Sequence, residues 1–150
     1  SSAYRPGDKA VLADAGFAKI GMAVCYDLRF PHLFRRLAQA GAQIIYERAR
    51  INAPVSDEMH YFHIRGKKYG PYAPGNLRDS VYHVFSKSNS YKDVSTYHIS
   101  WNKDKAPYGY VYEWGNSKRG AKSFIARSVI ETRAQVREAI KAHYIEEVNK

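Results

Sequence analysis

The sequence predicts an α+β fold, in which a small antiparallel β-sheet, made of a meander and an N-terminal hairpin, packs against two long helices. Apolar stripes at helical spacing predict the helices, over residues 31–52 and 123–148. Segments of alternating residues between them are typical of strands with one buried face. The 150 residues, 45% of them hydrophobic, suffice for one core, so we expect one folded unit.

The composition limits the classes of partner. The 24 Lys and Arg residues against 14 Asp and Glu residues give a formal net charge of +10. This charge favours polyanions, acidic protein surfaces or anionic membranes. The single cysteine excludes an intrachain disulfide. No run approaches the roughly 20 apolar residues of a membrane span, and no signal peptide is recognised, so we expect a soluble chain without a membrane partner.

A β-hairpin is predicted at the start of the chain. Residues 9–13 and 17–26 are predicted strands, and residues 14–16, with the sequence Asp-Ala-Gly, form the turn between them. Because alternate residues of a strand point to opposite faces, Cys25 shares a face with Gly21.

The first long helix is predicted to begin at Pro31. Proline suits the first turn of a helix, where its missing N–H has no intrahelical partner. Apolar residues recur at spacings of four, three and four over residues 33–44, and Ile51 continues the same stripe. We therefore favour one continuous helix over the alternative, in which the helix ends at Gly41 and residues 43–46 form a strand.

The motif CYDLRFP follows an apolar strand and precedes a helix. It lies in a longer run, YRPGDK and then FAKIGMAVCYDLRFPHLFRRLAQAGAQII, within residues 4–45. This run resembles the nucleophile-cysteine segment of the nitrilase (carbon–nitrogen hydrolase) superfamily. The resemblance implies that Cys25 lies on a tight turn, where a thiolate attacks an amide or nitrile carbon.

The same resemblance implies two catalytic partners, a glutamate base and a lysine acid, both well upstream of the cysteine. Only 24 residues precede Cys25 here, the first glutamate is Glu47, and Lys9 and Lys19 belong to the hairpin. General acid–base assistance is worth roughly 100- to 10,000-fold in rate. We therefore expect Cys25 to be a buried strand residue or an inert remnant, and the chain not to be an enzyme. A nitrilase-type amidase fragment that uses Cys25 is the alternative.

The second part of the chain predicts a meander of strands. Residues 56–75, rich in Gly and Pro, are predicted to form a long loop. Residues 76–87 and 93–101 alternate as strands do, and residues 108–114 alternate aromatic side chains after an Ala-Pro turn. These three strands are expected to form an antiparallel meander with one face packed on a helix.

Ser123 is predicted to be the N-cap of the last helix, because its hydroxyl can accept a hydrogen bond from a free backbone N–H. The helix is expected to extend to about residue 148. Its buried face is predicted to be an apolar stripe at helical spacing: Ile125, Val129, Val136, Ile140, Tyr144 and Val148.

Four motifs follow one another in the second part: RINAPV at 50–55, PGNLRDSV at 74–81, APYGYVYEWG at 106–115 and AKSFIARSV at 121–129. In these motifs residues 46–150 resemble the tail-component or tail-completion (neck) proteins of tailed phages. The resemblance implies a structural virion protein that joins head and tail and assembles in the host cytoplasm. It also implies a homo-oligomeric ring with portal, adaptor or tail-tube partners.

The two resemblances meet near residues 42–46, inside one predicted helix. A recombined or engineered chimera is therefore an alternative, in which residues 1–45 are a hairpin and helix start rather than an independent domain. Residues 46–150 are then the larger α+β module. A basic nucleic-acid-binding module, with non-specific DNA contact, is a third reading of the net charge.

The candidate interface is the aromatic strand that ends the meander. Its two faces need partners, one from the chain's own sheet and one from a helix or a second subunit. Glu113 is expected either to face solvent or to pair with an arginine of a neighbouring subunit. The residues predicted to form this interface are Tyr108, Tyr110, Tyr112, Glu113 and Trp114.

Three basic residues flank the start of the last helix: Lys118, Arg119 and Lys122. Cations are unfavourable at the positive end of a helix dipole, so these residues are predicted to contact an anion or an acidic partner. Residues 65–69 also interleave charge with aromatic character, as single-strand nucleic-acid binders do.

No metal site and no cofactor are predicted. His60 and His63 have a spacing that two ligands could use. A zinc site needs at least a third ligand and a fixed geometry, and no such ligand is evident from the sequence.

Overall fold

The computed structural model describes residues 11–14, 19–22, 31–91 and 94–149 and confirms the α+β class. The strands form three two-stranded antiparallel sheets, and none of the described helices is long and apolar enough to cross a membrane. In chain order the elements are β1 (Val11–Asp14), β2 (Lys19–Met22), α1 (Pro31–Asn52), β3 (His60–Ile64), β4 (Lys67–Tyr72), α2 (Asn76–Ser80), β5 (Val81–Phe85), β6 (Tyr97–Trp101), α3 (Gly109–Trp114) and α4 (Phe124–Val148).

The two long helices, α1 and α4, pack along each other. α1 runs without a break, which confirms the continuous helix. Its glycine faces α4, because a Cβ added to Gly41 would stand 3.1 Å from Val136 Cγ1 and 3.5 Å from Ile140 Cδ1. A glycine inside a helix costs about 1 kcal/mol relative to alanine. At Gly41 the missing side chain lets the two helices pack closely.

The first half of α4 buries a different stripe from the predicted one. Phe124, Ser128 and Thr132 are buried, whereas Val129 is 43% exposed. The hydroxyls of Ser128 and Thr132 donate to the carbonyls four residues earlier, so these small polar side chains can face α1 with their donors satisfied. Four residues of the predicted buried stripe are half-buried: Ile125, Val136, Ile140 and Tyr144. The side chain of Val148 is not among those that the structure describes.

The N-terminal hairpin pairs as predicted. β1 and β2 are antiparallel, with Val11 opposite Met22 and Asp14 opposite Lys19. Asp14, which was predicted to lie in the turn, belongs to β1. Residues 15 and 16 of the predicted turn, and residues 17, 18 and 23–26 of the predicted second strand, lie outside the described residues.

The segment predicted as one strand over residues 76–87 begins instead with the short helix α2. Gly75, at φ 79°, reverses the chain, and the following helical turn buries Leu77 and Ser80. Strand β5 starts only after this turn and pairs with β6 from Val81 opposite Trp101 to the end of the strand. The polar sequence of α2 gave no strand alternation before Val81, and the prediction extended the strand too far.

A second hairpin, β3–β4, occupies the stretch predicted to be a long loop. Phe62 lies opposite Tyr69, and Ile64 opposite Lys67. The two residues between the strands, Arg65 and Gly66, have φ values of 50° and 77°. Positive φ at both central residues is what a two-residue type I′ hairpin turn requires. The loop prediction is wrong because this turn was not recognised in a stretch rich in Gly and Pro.

The segment predicted as the last strand of the meander is the helix α3 with its cap. Tyr108 is 1% exposed and Val111 is 6% exposed, so the inward residues follow helical spacing. Tyr110 and Trp114, at 39% and 69% exposure, lie on the other side. The predicted three-stranded meander is therefore wrong, and β6 pairs with β5 alone among the described strands.

Close packing of Trp101 explains why the first residue of α3 is a glycine. A Cβ at Gly109 would stand 2.3 Å from Trp101 Nε1, so the first residue of α3 passes directly against the indole ring. Trp101 also contacts the Phe124 ring at a centroid distance of 5.8 Å. The core cluster that joins these elements consists of Ala49, Ala53, Leu77, Val81, Trp101, Ala106, Tyr108 and Phe124.

Candidate functional site

The residue predicted to be the nucleophile, Cys25, lies outside the described residues. The structure describes β2 as far as Met22, and the next described element is α1, which begins at Pro31.

Tyr108 is the centre of an aromatic cluster that joins α3 to the β3–β4 hairpin. Its ring is stacked on Phe62 at a centroid distance of 4.3 Å and an interplanar angle of 6°. The Tyr72 ring lies 4.8 Å away and the His60 ring 5.3 Å away. Asn76 Nδ2 donates to the Tyr108 hydroxyl at 3.1 Å, so the buried phenol has a polar partner.

Burial raises the pKa of the Tyr108 phenol, and the Asn76 hydrogen bond opposes this rise only in part. Burial also raises the pKa of Tyr72. A folded-state pKa above the unfolded value means that the unfolded chain loses its proton first as the pH rises. The stability that these two phenols contribute is therefore fully present below the ordinary tyrosine pKa of 10.0 and is lost as the pH rises above it.

We expect the free energy of unfolding to fall as the pH rises past 10.0, and to fall less steeply in Tyr108→Phe, which removes one of the two shifted phenols. Urea unfolding at a series of pH values measures both slopes. Equal slopes in the two proteins would contradict the assignment of this pH dependence to Tyr108.

The five residues predicted to form an interface are divided between the interior and the surface. Tyr108 and Glu113 are buried, Tyr112 is half-buried, and Tyr110 and Trp114 are exposed. The buried pair contacts other parts of the same chain, so the aromatic surface that a partner could reach is smaller than the predicted strand face. An interface role for the exposed pair remains a prediction.

Glu113 caps the N-terminus of α4. Its two carboxylate oxygens accept the backbone N–H groups of Ile125 at 2.9 Å and Ala126 at 3.1 Å. The predicted cap, Ser123, has φ 46° and its hydroxyl donates to the Glu113 backbone carbonyl instead. The N-cap role of the Ser123 side chain is therefore wrong, because a carboxylate from α3 already accepts the free N–H groups. The negative charge also suits the positive end of the helix dipole.

The basic residues before α4 lie against aromatic rings. The Arg119 guanidinium is 5.1 Å from the Tyr112 ring centroid and 5.8 Å from that of Phe62. The Lys122 ammonium is 5.9 Å from the Tyr112 centroid. Because Glu113 already compensates the helix dipole, the dipole gives no separate reason for an anion here. Contact of Lys118, Arg119 or Lys122 with an anion remains a prediction.

The two histidines of β3 lie on opposite faces of the strand, so they cannot bind one metal ion from the same face. His60 faces the aromatic cluster and its Nδ1 lies 2.9 Å from Ser56 Oγ, whereas His63 is exposed on the opposite face. In a strand, residues three apart point to opposite sides. Among the described residues, no group of three or more His, Cys, Asp or Glu side chains is arranged to hold a metal ion.

The outer face of the β3–β4 hairpin is a group of residues that the sequence reasoning did not bring together. The register places His63 opposite Lys68, and the Lys68 ammonium lies 3.9 Å from the centroid of the exposed Tyr61 ring. The alternation of His, Tyr, Phe, His and Ile over residues 60–64, followed by Arg-Gly, is the signal that could have predicted this hairpin.

Comparison with known proteins identifies the N-terminal segment. Residues 1–71 match the carbon–nitrogen hydrolase family. The deaminated glutathione amidase of Yersinia enterocolitica is 44% identical over 61 residues, which are 41% of this chain and 21% of that protein. The human deaminated glutathione amidase is 52% identical over 48 residues, 30% of this chain and 14% of that protein. Nitrilase homolog 2 of Dictyostelium discoideum is 42% identical over 45 residues, with shares of 30% and 14%.

This chain thus contains a carbon–nitrogen hydrolase-like segment, and it spans about a fifth or less of the length of these curated relatives. The match reaches residue 71 and so extends past the predicted junction at residues 42–46. No solved structure matches the chain.

The predicted phage identity is wrong. The matching relatives are amidases, hydrolases and a nitrilase homologue of cellular organisms, not virion, neck or tail-completion proteins. The predicted localisation in a virion is overturned by the same finding, and the phage resemblance of residues 46–150 has no support in the comparisons. The matched family is a hydrolase family, which supports a hydrolase-like character for residues 1–71, and the expectation that the chain is not an enzyme remains a prediction.

Proposed function

We propose that this chain carries the acyl-accepting segment of a carbon–nitrogen hydrolase of the amidase type, with Cys25 as the nucleophile. The family match over residues 1–71, a stretch that contains the motif CYDLRFP, is the observation that carries the proposal. Two of the relatives described above are named as amidases, which favours an amide over a nitrile as the substrate.

The proposed reaction needs no oxidant or reductant. The Cys25 thiolate attacks the carbonyl carbon of an amide, and a carbon–sulfur bond forms. The carbon–nitrogen bond then breaks, and the nitrogen takes up a proton and leaves as ammonia or an amine. Water attacks the resulting thioester, which releases a carboxylic acid and restores the thiol.

Both steps depend on proton transfer, because a free thiol with a pKa of about 8.5 is mostly protonated at neutral pH. The resemblance assigns this work to a glutamate and a lysine upstream of the cysteine, and residues 1–24 contain no glutamate. The buried Glu113 is already occupied by two backbone N–H groups of α4. A test on residues 1–150 therefore includes a carboxylate in the solution as an external base.

Amide hydrolysis tests the proposal directly. A panel of small primary amides, together with deaminated glutathione, is incubated with the protein, and the released ammonia or amine is quantified. We expect hydrolysis that rises with acetate concentration at constant ionic strength, because an external base replaces part of an assistance worth about 100- to 10,000-fold. Cys25→Ala is expected to abolish the reaction.

The control for a contaminating hydrolase is the variant itself, purified in parallel and shown by circular dichroism to be folded. Hydrolysis that is equal in the native chain and in Cys25→Ala would contradict the proposal. Failure to detect any Cys25-dependent hydrolysis at the highest acetate concentration would also contradict it.

A further inference from the structure

The outer face of the β3–β4 hairpin combines exposed aromatic surface with positive charge. Tyr61 is 48% exposed, and the Lys68 ammonium lies 3.9 Å from its ring centroid. His63, opposite Lys68 in the register, lies on the same exposed face. The opposite face of the hairpin is packed, since Phe62 stacks on Tyr108. The hairpin is thus held by one face and presents the other to solvent.

Within the part of the chain that the structure describes, the cations of this hairpin are not paired with carboxylates. Residues 60–72 contain no Asp or Glu. Arg65, Lys67 and Lys68 are exposed, and none of them forms an ion pair with a carboxylate of the described residues. The two lysines contact aromatic rings: the Lys67 ammonium is 5.7 Å from the Tyr69 ring centroid, and the Lys68 ammonium is 3.9 Å from that of Tyr61. Their charge is therefore available to an external anion.

A second basic segment adjoins the hairpin. Arg119 lies 5.8 Å from the ring centroid of Phe62, which stands between Tyr61 and His63 in β3. Lys118 and Lys122, in the same turn before α4, are also exposed. Because Phe62 lies on the packed face of the hairpin, Arg119 stands beside that face and not on the outer face around Tyr61.

We propose that the β3–β4 hairpin binds single-stranded nucleic acid, with phosphates on the cations of its tip and a base stacked on Tyr61. Single-strand binders combine a basic surface that follows the backbone with aromatic side chains on which bases stack. Lys68 covers the Tyr61 ring in the free protein, and a phosphate would draw the ammonium aside as a base takes its place. The tip residues Arg65, Gly66 and Lys67 offer no apolar side chain for insertion into a bilayer, which argues against an anionic membrane.

Fluorescence anisotropy with a labelled oligothymidylate tests this site. The hairpin variant Arg65→Gln/Lys67→Gln/Lys68→Gln is compared with a matched variant, Lys103→Gln/Arg133→Gln/Lys141→Gln, which changes the net charge equally at exposed positions elsewhere. Three lost phosphate contacts are expected to weaken binding about 100-fold at about 0.1 M salt, and to reduce the slope of log affinity against log salt by about 2. The matched variant is expected to lose less than about threefold, because distant charges are screened.

Tyr61→Ala separates stacking from charge. It is expected to weaken binding about tenfold while the salt slope stays unchanged, since base stacking is worth roughly 1–3 kcal/mol and releases no counterion. Circular dichroism of each variant shows that these exposed substitutions leave the fold intact.

Three results would overturn the proposal. The first is equal weakening in the hairpin variant and the matched variant, which would assign binding to net charge alone. The second is unchanged affinity in Tyr61→Ala. The third is binding to phosphatidylserine vesicles without binding to the oligonucleotide, which would identify a membrane surface as the partner.

Discussion

Replacing Tyr108 with alanine is expected to lower the free energy of unfolding by about 3–5 kcal/mol, the usual range for removal of a large buried aromatic side chain. The ring is 1% exposed and contacts the rings of Phe62 and Tyr72 at centroid distances of 4.3 Å and 4.8 Å. These contacts join three separate stretches of the chain. Their loss leaves a cavity that the rigid α3 backbone cannot readily close. Urea unfolding measures the change.

Two further substitutions make this prediction specific. Tyr108→Phe keeps the ring and removes the hydroxyl that accepts a hydrogen bond from Asn76, so it is expected to cost only about 0.5–1.5 kcal/mol. Tyr110→Ala, two residues further along the chain but exposed, is expected to cost less than about 1 kcal/mol. A Tyr108→Ala effect no larger than that of Tyr110→Ala would show that the aromatic cluster does not stabilise the fold.

Replacing Glu113 with alanine is expected to lower the free energy of unfolding by about 2–4 kcal/mol. The substitution leaves the backbone N–H groups of Ile125 and Ala126 without their acceptor and removes a negative charge from the positive end of α4. An unsatisfied buried donor costs about 1–3 kcal/mol and loss of an N-cap about 1 kcal/mol. Chemical denaturation and the helical circular dichroism signal report the loss.

The controls for Glu113 separate capping from charge. Glu113→Gln retains one amide oxygen as an acceptor and is expected to recover about half of the stability lost in the alanine variant. Glu138→Ala removes an exposed carboxylate from α4, the helix that Glu113 caps, and is expected to change stability by about 0.5 kcal/mol or less. If Glu138→Ala were as destabilising as Glu113→Ala, the capping role would be untenable.

The two long helices could be predicted from the sequence because each repeats apolar residues at helical spacing over many turns. Even there, the buried stripe at the start of α4 was predicted incorrectly. Ser128 and Thr132 look polar in the sequence, and only their hydrogen bonds to carbonyls of the same helix make them suitable for burial against α1. The position of the stripe depended on the partner helix, not on α4 alone.

The error at residues 108–114 has a different cause. The aromatic residues alternate as in a strand, yet Tyr108, Val111 and Tyr112 also follow helical spacing, so the pattern supports two structures. In the structure Tyr108 and Val111 are buried and Tyr110 is exposed, which fits the helix, and Gly109 packs closely against Trp101 of β6. Such a contact cannot be read from local sequence.

The candidate sites show the same distinction between local and distant information. The motif around Cys25 could be recognised because it is contiguous, and the family match agrees with it. Glu113 caps α4 through Ile125 and Ala126, which lie 12 and 13 positions later in the chain. The preference for serine at an N-cap predicted the Ser123 hydroxyl as the acceptor instead of the Glu113 carboxylate. The hairpin surface around Tyr61 depends on the β3–β4 register. This register could not be predicted because the Arg-Gly turn was assigned to a long loop.

The central claim is that Cys25 belongs to a hydrolase nucleophile segment. The most direct test is to expose the protein briefly to an activated ester of a small carboxylic acid and to measure its intact mass. The ester has a better leaving group than an amide, so acylation of the thiolate needs little acid assistance. We predict a single acyl group on Cys25, absent in Cys25→Ala, that forms about tenfold or more faster than on the same cysteine in a free peptide of residues 19–31, because an activated thiolate reacts faster than an ordinary thiol. Equal rates in the folded chain and the peptide would contradict the claim.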